Sequence, residues 1–139
     1  ETFQETGLIL GAPSNKAAPV PEGPWAEFAK AGFYPDLSSL HFIARAITPS
    51  RRPRRFDTRF FAVDAATIAH KVENVVHAEA ELVELVWMPI ADARSLDMPT
   101  ITGVVLQELE ARVAAGFGRD LPVPFYRMPR KVFYRELIS

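Results

Sequence analysis

The chain has 139 residues, 48% of them hydrophobic and 24% charged, a makeup that supports a folded core and excludes a low-complexity tail. Sixteen Lys and Arg stand against 17 Asp and Glu, a net charge of −1, so no overall polycation advertises nucleic acid and any basic patch must be local. There is no cysteine, which excludes disulfides, thiolate metal sites and cysteine nucleophiles; no apolar run approaches the roughly 20 residues of a membrane span. The expectation is a cytoplasmic protein with no membrane partner.

The first stretch, Glu1-Thr-Phe-Gln-Glu-Thr-Gly7, reads as the end of an acidic helix. Glu1 and Glu5 are four residues apart and Gln4 is three from Glu1, so a helix puts the three side chains on one face, within reach of a single ion. Gly7 is the terminator, and Leu8–Leu10 follow as a short buried strand. By spacing alone, the same pattern belongs to an ordinary helix end with a solvated acidic face. Residues 12–24, rich in proline, read as a loop, since proline blocks both kinds of ladder. Pro24 opens a short helix with Trp25, Phe28 and Ala29 on its apolar face and Gly32 at its end, and Pro35-Asp36 turns the chain.

Alternation over Leu40–Thr48 predicts a strand in the body of a sheet, with Arg45 between Ile43 and Ile47 either as a paired structural residue or as a substrate clamp. Arg51, Arg52, Arg54 and Arg55 crowd a proline-broken loop. It feeds a second strand, where Phe56, Thr58, Phe60 and Ala62 face one way and Asp57, Arg59, Phe61 and Val63 the other. Asp57 and Arg59 are then an expected ion pair. Guanidinium forks suit phosphate oxygens, though a solvated basic loop has the same composition.

Residues 64–80 read as a loop with one short helical or extended piece; His70 and His77 beside Glu79 match no standard zinc spacing and read as surface histidines. Glu81–Pro89 reads as a strand, with Leu82, Glu84, Val86 and Met88 opposed to Val83, Leu85 and Trp87, followed by a short helix over Ile90–Leu96. Thr100 caps a helix to about Ala115, with Ile101, Val105, Leu106, Leu109 and Val113 as its core stripe and Gly116 and Gly118 ending it. In the tail, Pro122–Ser139, aromatics alternate with Arg127, Arg130, Lys131 and Arg135. That mixture can stack bases and grip phosphates, or it is a docked strand or a homodimer contact.

Glu1–Leu8 resembles the end of the Nudix box, whose pattern closes Arg-Glu-aliphatic-x-Glu-Glu-x-Gly-aliphatic. Glu1 takes the place of the Glu after the Arg, Glu5 that of the second paired glutamate, and Gly7-Leu8 complete the motif. Thr2 stands where a bulky aliphatic is usual, and Gln4 where a metal-binding Glu is expected. Thr48-Pro49 with Arg55-Phe-Asp-Thr-Arg-Phe-Phe61 is similar to the larger diphosphatases of that family. Glu81 to Trp87-Met-Pro89 resembles the strand after which the family places a proline and a short helix. Because the chain starts inside the motif, it reads as a piece of a longer protein.

The resemblance implies an α+β fold, a Nudix-type α/β/α sandwich with a mixed sheet, its N-terminal strands not among residues 1–139. The chain would be the major C-terminal part of one Nudix domain: 1–11 the box helix end and following strand, 12–35 an insert loop with a short helix, and 36–139 the remaining strands, helix and tail. It also implies a metal-dependent hydrolase of the diphosphate bond in a nucleoside diphosphate linked to another moiety, with Mg2+ or Mn2+ as cofactor. Glu1 and Glu5 would be catalytic, Glu1, Gln4, Glu5 and Glu81 (or Glu79) would hold metal, and Arg51, Arg52, Arg54 and Arg55 would bind substrate. Two alternatives stand beside it: a catalytically weakened module that binds a nucleotide or a partner, suggested by Gln4, and an RNA-binding domain using the arginine loop and the basic aromatic tail.

Overall fold

The structure, a computed structural model, describes residues 1–14, 22–129 and 132–138. In chain order the elements are α1 (Thr2–Thr6), β1 (Leu8–Ile9), β2 (Gly11–Pro13), α2 (Trp25–Lys30), β3 (Phe33–Pro35), β4 (His41–Ile47) and β5 (Asp57–Ala62). A 3-10 turn (Ala65–Thr67), β6 (His70–Lys71), α3 (Ile90–Ala93), α4 (Thr100–Ala114), β7 (Val123–Arg127) and β8 (Tyr134–Ile138) follow. They gather into two units, Glu1–Ser39 with Val63–Trp87 and Leu40–Ala62 with Met88–Ser139. Each unit contains both helix and strand, so the chain is α+β. Among the described residues no helix is long and apolar enough to cross a membrane.

In the first unit Ile9 is fully buried, on a strand that pairs antiparallel with β6. Burying that side chain is worth about 1.5–3 kcal/mol, enough to anchor a short ladder. Phe28, on the buried side of α2, meets Phe3 of α1 edge to face at 5.3 Å. Gly7 closes α1 at φ 75, with its N–H on the Phe3 carbonyl at 2.8 Å. That left-handed conformation favours glycine, and a Cβ at position 7 would also run into the Val72 carbonyl. The Gly7 carbonyl in turn accepts from the Val72 N–H at 2.8 Å, so the residues after β6 are pinned beside the end of α1.

In the second unit a four-stranded sheet runs β5-β4-β7-β8, antiparallel except between β4 and β7. α4 lies on it, with Val105 against Ile43 and Ala44, and Leu109, Phe60 and Phe117 packed around them. Ala44 and Ala46 are small enough to let the helix approach while both are buried. Pro124 has no N–H to give, and the parallel ladder between β4 and β7 begins only at Phe125, opposite Arg45.

Several expectations are corrected. The segment expected to be a loop starts with strand β2, because Gly11–Pro13 zip against Phe33–Pro35; residues 15–21 of it lie outside the described residues, as do Arg130, Lys131 and Ser139 of the tail. Glu81–Met88 forms no strand. Its alternation is real, but Val83, Val86 and Trp87 are exposed, and a strand exists only where a partner supplies the ladder. Asp57 pairs with Arg45 rather than with Arg59, by Nε to Oδ1 at 2.8 Å and Nη2 to Oδ2 at 2.5 Å. Same-strand neighbours two apart splay, whereas a cross-strand diagonal brings long side chains together. Arg45 also stacks over Phe125, 4.7 Å from the ring centroid.

On α4 the first turn is preceded by Pro99 as N-cap, with no side-chain cap from Thr100. Val113 is half-exposed, and Arg112 is the buried residue of that turn. Its guanidinium donates to the carbonyls of Gly118, Leu121 and Pro122 at 2.8–3.3 Å. Trp25 of α2 is exposed despite its apolar character.

Candidate functional site

Glu1 and Glu5 lie one helical turn apart on α1, joined by the bond from the Glu5 N–H to the Glu1 carbonyl at 2.9 Å. That turn points their side chains the same way, with Gln4 beside them. The three line a cleft of about 430 Å³ together with Val75, Ala80 and Glu81. Glu81 arrives there because the Gly7–Val72 bond fixes the course of the chain after β6 and a turn closed by the Ala80 N–H on the His77 carbonyl, 2.9 Å, follows. No helical or strand periodicity links position 81 to α1; the approach is tertiary.

The cleft is acidic. Three carboxylates and one amide line it, and among the described residues no Lys, Arg or His does, so its potential draws cations and repels anions. Every polar side chain in it offers oxygen, the donor that magnesium, manganese and calcium take. Among the described residues, however, no three acidic or histidine side chains converge tightly enough to enclose one ion. The donor chemistry therefore fits a hard divalent cation, while Glu1, Glu5 and Glu81 stand further apart than a closed cage requires.

The other candidates fall elsewhere. Glu79 is exposed, and its N–H donates to Nδ1 of His77 at 3.3 Å. His70 stacks on Phe33 with ring centroids 5.8 Å apart, an ordinary packing role. Arg51, Arg52, Arg54 and Arg55 are all exposed on the β4–β5 connection, which belongs to the second unit. Arg55 Nε donates to the Thr48 carbonyl at 3.2 Å and Thr48 Oγ1 accepts from the Phe56 N–H at 3.0 Å, so that loop is braced at its far end.

A second polar cluster, in which the tail's Arg135 meets Glu108 of α4, a residue that no sequence pattern marks, sits where α4 meets β7 and β8. Glu108 accepts from Arg135 Nε at 2.8 Å and from the Tyr126 hydroxyl, and Arg135 Nε also donates to that hydroxyl at 3.1 Å. The Arg135 hydrogen bond holds the Glu108 carboxyl below its ordinary value, with the Tyr126 hydroxyl adding to it. Burial pushes the Tyr126 phenol up, and its bond to Glu108 reinforces the shift. Together with the Arg127–Glu136 pair, these contacts occupy two of the tail's arginines that RNA binding would need. The tail is a docked pair of strands.

No family model, no curated protein and no solved structure matches the chain.

Proposed function

We propose that the chain is the catalytic-helix end and C-terminal remainder of a Nudix-type sandwich that hydrolyses the diphosphate bond of a nucleoside diphosphate linked to another moiety. One observation carries the reading: Glu1, Gln4 and Glu5 of the box-like segment line the same cleft as Glu81, one of the two residues, with Glu79, that the resemblance offers independently from far along the chain. When bound there, magnesium or manganese would supply Lewis acidity toward the diphosphate oxygens and toward water. Glu5 would be a direct ligand, Glu1 a ligand or the base that takes a proton from the attacking water, Gln4 a weak or indirect ligand, and Glu81 a further ligand. A substrate-binding role for Arg51, Arg52, Arg54 and Arg55 rests on the resemblance alone, guanidinium geometry being suited to phosphate oxygens.

The test is hydrolysis of a panel of nucleoside-diphosphate-linked compounds by the full protein with magnesium. Turnover of at least one member that is lost on Glu5→Gln supports the reading; no turnover of any member, together with no divalent binding by calorimetry, sinks it.

A catalytically weakened binding module is the second reading. It is favoured by the neutral amide of Gln4 in an otherwise carboxylate-lined cleft. Affinity for hard cations follows the number of charged ligands, so Gln4→Glu should raise metal affinity and rate together if chemistry is merely weakened. An unchanged rate after a gain in affinity leaves the binding role.

A further inference from the structure

We propose that the open edge of β5 is a self-association surface, on which a second copy of this chain docks antiparallel about a twofold axis at Thr58. Among the described residues β5 ends its sheet. The Thr48 N–H donates to the Phe56 carbonyl at 2.9 Å, so Phe56 and Thr58 direct their main-chain groups at β4. By the alternation of an antiparallel ladder, Asp57 and Arg59 direct theirs outward. Such an edge is a template for another strand.

Charge selects both the occupant and the register. A twofold axis normal to a sheet sets residues of like parity opposite one another. Centred on Thr58, it puts Asp57 across from the partner subunit's Arg59, and Arg59 across from the partner subunit's Asp57, both at positions whose main-chain groups point outward. Centred on Arg59, it would set two guanidinium groups face to face, which costs stability.

Arg59 has reason to accept such a neighbour. It lies directly opposite Arg45 in the β4–β5 register, and Asp57 spends both oxygens on Arg45. Among the described residues Arg59 makes no ion pair. A second copy brings to its free side the carboxylate of the partner subunit's Asp57, each oxygen of which has a second lone pair beyond the one its own Arg45 uses. The same register covers Phe56, which is 62% exposed, with the partner subunit's Phe60.

Sedimentation velocity of the full chain over a wide range of concentration tests this. The wild type should reach dimer mass. Arg59→Glu should weaken dimerisation by about tenfold or more, because two opposite-charge pairs become like-charge pairs. An equimolar mixture of Arg59→Glu and Asp57→Arg should recover the dimer, since both cross-strand pairs are again of opposite sign. Should Asp57→Arg not fold for want of the Arg45 partner, Arg59→Pro decides. It removes an outward N–H without touching the β4 ladder, and it should leave a folded monomer. A wild type that stays monomeric throughout, or a dimer that persists in both Arg59 variants, overturns the proposal.

Discussion

Glu81 lines the same cleft as Glu5, although Glu5 is on α1 and Glu81 is on the irregular stretch after β6. What joins them is a backbone contact, the Val72 N–H on the Gly7 carbonyl, at a glycine that can adopt φ 75 and leave room for the Val72 carbonyl. The cleft therefore depends on a residue that contributes no side chain to it.

Gly7→Ala should accordingly be costly. The substitution forces a Cβ into a left-handed conformation and toward the Val72 carbonyl, and the expected loss is about 2 kcal/mol or more in urea unfolding. Divalent binding by the folded fraction should fall as well, because α1 and Glu81 lose their common anchor.

Arg112→Ala should destabilise by about 3 kcal/mol, since it strands the carbonyls of Gly118, Leu121 and Pro122 that the buried guanidinium now satisfies. Arg112→Lys should recover little of this, because one ammonium cannot reproduce a fork that spans three acceptors. Thermal or urea unfolding of the two variants against wild type measures it.

The Glu108 cluster predicts a pH dependence of stability. Its folded carboxyl sits below the ordinary value of 4.5, so it contributes stability that is present above about pH 4.5 and is lost as pH falls through the lower, folded value. Tyr126 works at the other end. Its phenol is raised above 10.0, so its contribution holds below about pH 10 and fades as pH rises through the folded value. Glu108→Gln should flatten the acid limb of a stability–pH profile; an acid limb identical to wild type would contradict the assignment.

Features that depend on local chemistry were legible from the residues alone. The helix end at Glu1–Gly7 follows from spacing and a glycine. The strands around Ala44 and Phe60 follow from alternation, and the long helix from the recurrence of Ile101, Val105 and Leu109. Non-local pairing was not legible. Glu81–Met88 alternates as a strand does, yet alternation says nothing about whether a neighbour will bond to it. Arg112 reads as a solvated helix residue until the 118–122 segment folds back over it, and Asp57 has a nearer cation across the ladder than along its own strand. At the cleft, Glu1, Gln4 and Glu5 could be grouped from helical phase, whereas Val75 and Ala80 carry no chemical signal by which sequence could find them.

Calorimetric titration of Mn2+ into wild type, Glu5→Gln and Glu81→Gln tests most directly whether the cleft acts as one cation site. Both side chains are at least partly solvated, so unfolding free energies should stay within about 0.5 kcal/mol of wild type. Each variant should bind Mn2+ about tenfold or more weakly, because each removes one charged oxygen ligand. Wild-type affinity in Glu81→Gln, with Glu5→Gln alone weakened, would contradict a shared site.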